Sequence, residues 1–457
     1  MKARRAYVRT AGALALSLIL ILGTVTANAA TGAGSLSFSN TPLLRPEGDS
    51  EPAISIAANG TMALTGLQWL FTNSFGTHLW TGPFGSTPTF QGLLDSDLEH
   101  AGKQVFGSGD ADVDLGSTGT LHATSLIFLI NPAFNRGQLG VSAITCPNGA
   151  SVSFSISTCQ KKIIDTAGAD RQWITSDGAH VWISYHDAQN SSLIHVQRSD
   201  DDGYTWKSVG DPIVGQDGAT GDATFNNTQG PIVADPHTHN VYDIYAAGEP
   251  GIQKGTTATF NNIYVSRSTD LGKKWTANLV YHAPLFTDFS NVFPSLAVDP
   301  TNGKLYAVWS DGHVIYFSAS SDQGSHWSAS VTVNIAPAST ALFPWIAAYN
   351  GTVDVVYYGT TAASKDDASA VWNAYLAQTT NDGASFAQSL VSNTPNHVGV
   401  ICTGGISCAD GTRNLLDLFE VAINPQNGRA AVIYVDDTLT TDSAGNPLPQ
   451  LVLAQQN

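Results

Sequence analysis

Short apolar runs recur along the chain, each closed by Gly, Asn, Asp or Pro. From Phe293, "FPSLAVD" reads as one strand and "GKLYAVWSD" as a second, after a turn over residues 300–303. "HVIYFSAS" and "SASVTVN" follow as a third and a fourth. These segments are rich in β-branched and aromatic residues and are bounded by turn formers, the signature of antiparallel strands rather than helices. Four strands per unit, recurring every ~40–70 residues, predict a β-propeller.

Innermost strands are expected at "EPAISIA" from Glu51, "GDADVDL" from Gly109, "DRQWITS" from Asp170, "GPIVAD" from Gly230, "FPSLAVD" from Phe293, "FPWIAAY" from Phe343 and "LFEVAIN" from Leu418. That is an all-β chain of seven four-stranded antiparallel blades. The last unit is one strand short, and "SLSFSNTPLL" at residues 35–44 resembles a spare outer strand. Pairing the two would close the ring and remove its exposed edges. Six blades with an appended sheet is the alternative.

A second pattern lies between the third and fourth strands. Ser199, Asp201, Gly203 and Trp206 repeat as Ser268, Asp270, Gly272 and Trp275, as Ser320, Asp322, Gly324 and Trp327, and as Thr379, Asn381, Gly383 and Phe386. A carboxylate that accepts turn N–H groups, a glycine free to adopt unusual backbone angles and an aromatic plug suit a chain reversal. The expected role is structural. These motifs resemble the Asp-box (BNR) repeats of the sialidase superfamily. The resemblance implies a propeller, an arginine triad for a substrate carboxylate, an Asp acid/base and a Tyr activated by Glu. The first arginine of that triad opens an Arg-Ile-Pro motif; here "DSEPAI" puts Ser50 in its place, which argues against a strict exo-sialidase.

The N-terminus joins Lys2, Arg4, Arg5 and Arg9 to an apolar run over residues 11–22 and a small-x-small site at Ala27–Ala29. Residues 1–29 therefore read as a secretory signal peptide, leaving 30–457 as one propeller domain that is secreted, extracellular or periplasmic. The leader takes four of the 20 basic residues and none of the 37 acids, so the remainder is strongly acidic. Such a chain should repel nucleic acid and anionic membranes, and no membrane span is expected. Only five acids are glutamates, and an aspartate excess favours turns over helices. The four cysteines are expected as two local disulfides, Cys146–Cys159 and Cys402–Cys408.

Candidate chemistry sits where inner strands begin, because those ends converge on the propeller axis. Glu51, Asp110, Asp170 and Glu420 are the candidate catalytic carboxyls, and like-charge crowding would raise a carboxyl pKa far enough for general acid work. Arg171, Arg413, His186 and Asp417 are the candidate substrate-binding residues. Asp112 and Asp114 alternate with Asp110 on one strand face and are candidate calcium ligands. Leu115 and Leu121 at positions six and twelve of that run exclude an EF-hand loop. No cofactor is required. The expected function is a sialidase-like, carbohydrate-active enzyme of glycoside hydrolase type, acting as a monomer on a glycan or glycoconjugate. The alternative is a non-catalytic propeller that binds glycan or protein.

Overall fold

The computed structural model describes residues 35–68, 76–100, 103–131, 136–151, 153–187, 193–213, 227–248, 260–290 and 293–457. The expected signal peptide lies outside them. Seven four-stranded antiparallel sheets stand around one axis. Their inner strands are Asp49–Ile56, Phe106–Leu115, Ala169–Asp177, Asn227–Ala234, Ser295–Val298, Thr340–Tyr349 and Glu420–Ile423. We number the blades 1 to 7 in that order. Blade 6 carries an additional two-residue strand, His397–Val398.

The ring closes through its two ends. Phe38–Leu43 pairs antiparallel with Pro447–Gln456, running from Phe38 opposite Gln456 to Leu43 opposite Leu451. This N-terminal strand is the outer strand of blade 7, so the last sheet is built from both termini. The pairing gives blade 7 its fourth strand and fastens the two ends of the described chain together.

Side chains and backbone amides stitch neighbouring inner strands together. Glu420 of blade 7 accepts the Ile54 N–H of blade 1 at 2.8 Å, and Ser55 of blade 1 accepts the Leu115 N–H of blade 2 at 2.9 Å. Asp112 of blade 2 accepts the Ile174 N–H of blade 3 at 2.8 Å, and Thr175 of blade 3 accepts the Ala234 N–H of blade 4 at 3.2 Å. Adjacent blades pack mainly through aliphatic and aromatic faces, so these bonds satisfy inner-strand amides that no fifth strand reaches.

The four sequence motifs fold alike. In each, the Ser or Thr hydroxyl accepts the glycine N–H, at 2.8 Å for Gly203 and Gly272, 3.0 Å for Gly324 and 3.1 Å for Gly383. Asp201, Asp270, Asp322 and Asn381 each accept an N–H four residues on. Trp206, Trp275 and Trp327 donate their indole N–H to the carbonyl of the motif glycine. Phe386 has no such donor and packs its ring on Phe317 instead. All four turns join a third strand to a fourth. Both disulfides are formed, Cys146–Cys159 and Cys402–Cys408.

Candidate functional site

Five of the seven inner strands, those of blades 1, 2, 3, 4 and 6, open with an irregularity in their pairing, and this feature shapes what faces the axis. The register slips between Ser50 and Ala53, between Asp170 and Trp173 and between Leu342 and Trp345, leaving two residues unpaired each time. Six residues before the inner hairpin turn, blades 1 to 3 carry Glu51, Asp110 and Arg171, while blades 5 to 7 carry Phe293, Phe343 and Leu418. Glu51, Arg171 and Phe343 all adopt positive φ, of 43°, 55° and 56°. The left-handed backbone thus recurs in three blades, one of which carries no charge at this position. What differs is the side chain it presents.

Blades 1 to 3, with the disulfide-closed loop before blade 7, enclose a cavity of about 440 Å³. Glu51, Asp110, Asp170, Arg171 and Arg413 line it, and Gly404 and Gly405 of the loop form part of its wall. At its edge Asp417 holds both guanidiniums. Its Oδ2 accepts from Arg171 at 2.7 Å and from Arg413, and its Oδ1 accepts from Arg413 Nε at 3.2 Å. The Asp417 N–H donates to Glu51 Oε1 at 3.2 Å, and Gln172 donates to the Asp110 carbonyl. Arg171 lies 4.0 Å above the centre of the Phe293 ring, a cation–π contact reaching across the axis.

The electrostatics are uneven. Burial pushes the Glu51 carboxyl well above the ordinary range, and the charges of Asp110 and Asp417 push it further, with Arg171 opposing. A hydrogen bond to Asp110 also favours the protonated form of Glu51. Asp170 is raised to about 6, by burial first and by the Asp110 charge second. Burial also acts on Asp417, but Arg171 and Arg413 outweigh it and hold this carboxyl below its usual value. Burial and like charge thus favour the protonated form of Glu51 in a cavity it shares with Asp110 and two guanidiniums, Arg171 and Arg413. One guanidinium nitrogen, Arg171 Nη1, is buried with no protein partner among the described residues.

Not every expected residue reaches this mouth. Glu420 sits four residues before its hairpin turn, not six, and faces the channel on the far side with Asp112 and Asp114. Its expected place beside Glu51 is corrected accordingly: the slot level with Glu51 in blade 7 belongs to Leu418. Asp112 and Asp114 do not form the expected calcium site. Asp112 accepts the N–H groups of Val113 and Ile174, and Asp114 accepts the hydroxyls of Ser176 and Ser55. Their oxygens are thus committed to the scaffold, one bond within their own strand and the others to neighbouring blades. Among the described residues no group of three or more His, Cys, Asp or Glu side chains is placed to hold a metal ion. His186 pairs with Asp170 across the blade 3 hairpin and lies outside the cavity lining.

Between mouth and channel, Trp173, Phe293, Trp345 and Leu418 form an apolar plug. The Trp173 ring stands 5.2 Å from Trp345 and 6.1 Å from Phe293. Strand pattern alone did not single out this plug, although Trp173 and Trp345 occupy equivalent positions in blades 3 and 6.

These features define the class: a closed seven-bladed β-propeller with a charged axial mouth. The sequence matches no protein-family model and no curated protein. In fold, the chain is similar to a polysaccharide lyase of family PL25, an ulvan lyase, with a TM-score of 0.50 at 11% identity over 90% of this chain and 95% of that one. It is also similar to the phage phi92 endosialidase, with a TM-score of 0.48 at 10% identity over 92% of this chain and 69% of that one. An α-L-arabinanase of Penicillium chrysogenum gives 0.42 at 12% identity over 92% and 97%. At such identities the likeness is one of fold alone.

Proposed function

We propose that this chain is an exported, sialidase-like propeller that cleaves a glycosidic bond with carboxyl chemistry in its charged mouth. The observation that carries the reading is the convergence of Glu51, Asp110 and Asp170 with Arg171 and Arg413 on one cavity, where burial and the Asp110 charge raise the Glu51 carboxyl. A carboxyl that favours its protonated form beside further carboxyl groups is what general acid and general base steps need. Glu51 gives its proton to the leaving oxygen as the glycosidic C–O bond breaks, and Asp110 or Asp170 takes a proton from the water that forms the new bond to the anomeric carbon. Arg171 and Arg413 orient the substrate, and the free Nη1 of Arg171 supplies a donor for it. The four motif turns support kinship with Asp-box propellers, while Ser50 at the expected arginine position points away from a strict exo-sialidase. The ulvan lyase shares the fold, and a fold does not choose a reaction, so the proposal rests on the mouth. The two disulfides and the basic-then-apolar N-terminus support export.

A second reading rests on Asp417, which already occupies both guanidiniums. It makes the mouth a glycan- or protein-binding surface without turnover. A screen of the purified protein on sialosides and assorted polysaccharides separates the two. For the enzyme, product forms, and Glu51→Gln or Asp110→Asn lowers turnover about 10²–10⁴-fold with the melting temperature held. Retention on a glycan with no product from any form establishes the binder.

A further inference from the structure

Behind the aromatic plug lies a second cavity, of about 470 Å³, walled by all seven inner strands. Residues of the inner hairpin turns, among them Ala58, Ser117, Pro236, Pro300 and Pro425, form its rim. It therefore opens on the face opposite the charged mouth. The polar character of the two cavities also differs. Three carboxyl side chains line the rear one, Asp112, Asp114 and Glu420, and among its described lining residues there is no Lys, Arg or His. The rest of the wall is mainly aliphatic, with Trp345 at one side.

Two of the three carboxyls are fully engaged by the scaffold, as described above. Glu420 is not. Its Oε2 accepts the Ile54 N–H at 2.8 Å, while Oε1 has no hydrogen-bond partner on a residue only 3% exposed. A buried carboxyl oxygen without a donor costs free energy that a suitable ligand would recover.

We infer that the rear channel is a binding site for a small organic cation, a primary ammonium group on a slender apolar body, with Glu420 Oε1 accepting its N–H. The chemistry narrows the choice. An ammonium carries three donors and no acceptor, the complement of a wall that offers carboxyl oxygens and no basic group. An anionic ligand would meet three acids, and like charges at close range disfavour it. A hard metal ion needs six to eight oxygen ligands, and no such set converges here. The apolar walls and the Trp345 ring suit the body of the ligand and the flank of its cation. Burial and the neighbouring Asp112 charge favour the protonated form of Glu420, so binding of a cation should expel a proton.

Titration calorimetry of the full chain with 2-phenylethylammonium and its neutral analogue 2-phenylethanol tests this. The ammonium should bind at least tenfold more tightly than the alcohol at pH 8. Its affinity should fall toward pH 6, and its heat should change with the ionisation enthalpy of the buffer. Glu420→Gln should bring the ammonium down to the alcohol's affinity. Ala347→Phe keeps the Glu420–Ile54 bond but fills the channel, and should abolish ammonium binding. Equal affinity for the two probes, no binding by the folded protein, or full ammonium affinity in Ala347→Phe would each overturn the assignment. If Glu420→Gln fails to fold, the Ala347→Phe result decides alone.

Discussion

The two ends of the propeller axis both bury carboxyl groups, yet only one end pairs them with arginine. At the front, Glu51, Asp110 and Asp170 face Arg171 and Arg413, with Asp417 bridging the two guanidiniums. At the rear, Asp112, Asp114 and Glu420 face apolar walls and bond mainly to amides and hydroxyls of neighbouring blades. The same strands supply both ends, so the fold does not account for the difference. It comes from which strand positions hold an acid. The slot six residues before the hairpin turn gives Glu51, Asp110 and Arg171 to the front and Phe293 and Leu418 to the plug, while the slots four and two before it give Asp112, Glu420 and Asp114 to the rear. Because Phe343 shares the left-handed backbone of Glu51 and Arg171, that geometry marks no chemistry by itself.

The largest expected effect strikes the front. Asp417→Ala leaves Arg171 and Arg413 without their shared carboxylate in a largely buried site. Breaking a buried pair by removing one partner costs about 3–5 kcal/mol, mostly for the charge left behind. Urea unfolding should show that loss. A change under about 1 kcal/mol would mean that water replaces Asp417 and that the front is no better organised than the rear.

Acid and base should act with opposite signs on Asp417 at the front and on Asp112 at the rear. Asp417 is held below its ordinary value, so its contribution is present at neutral pH and is lost as pH falls through its folded pKa. Burial lifts Asp112 from 3.8 to about 7, more than its two backbone N–H bonds lower it. The folded state then binds the extra proton. Its stability contribution is full below the unfolded pKa and is lost as pH rises through about 7. The loss is at most on the order of 4 kcal/mol, and less where water enters the channel. Asp112→Asn cannot ionise. Unfolding midpoints between pH 4 and 8 should therefore fall more steeply in the parent than in this variant. Parallel profiles would remove Asp112 as a source of the slope.

Much of the fold was legible because its signals are local. The motif turns, the seven strand openings and the orphan strand at residues 35–44 each follow from turn chemistry and period-two patterning. The front residues were legible for the same reason, since Glu51, Asp110 and Arg171 stand where inner strands begin. Glu420 was misplaced because the inner strands differ in length, so their first residues are not equivalent positions. Counting back from the hairpin turn puts it level with Trp173 and Trp345, and so in the channel. The bridging role of Asp417 depends on Arg171, 246 residues away in sequence, and no local pattern reports that contact. The plug escaped notice because a buried tryptophan in a strand is ordinary core until its neighbours across the axis are known.

The smallest expected effects lie in the motif turns on the rear face, and they should rank in a definite order. Each of Trp206, Trp275 and Trp327 donates its indole N–H to the carbonyl of its motif glycine. The Gly203 carbonyl also accepts the Thr145 hydroxyl at 2.9 Å, and the Gly272 carbonyl also accepts the Gly210 N–H at 2.7 Å. Among the described residues the Gly324 carbonyl has Trp327 alone, at 3.1 Å. Removing a donor costs more when it leaves the acceptor unpaired. Trp206→Phe and Trp275→Phe should thus each lose about 0.5 kcal/mol, and Trp327→Phe about 1 kcal/mol, in urea unfolding. None should alter turnover or glycan binding, because these turns and the charged mouth lie on opposite faces. Equal losses would show that ring packing, not the indole bond, holds the turns. A change in activity without a change in stability would mean that the rear face communicates with the mouth, and the separation of the two ends would fail.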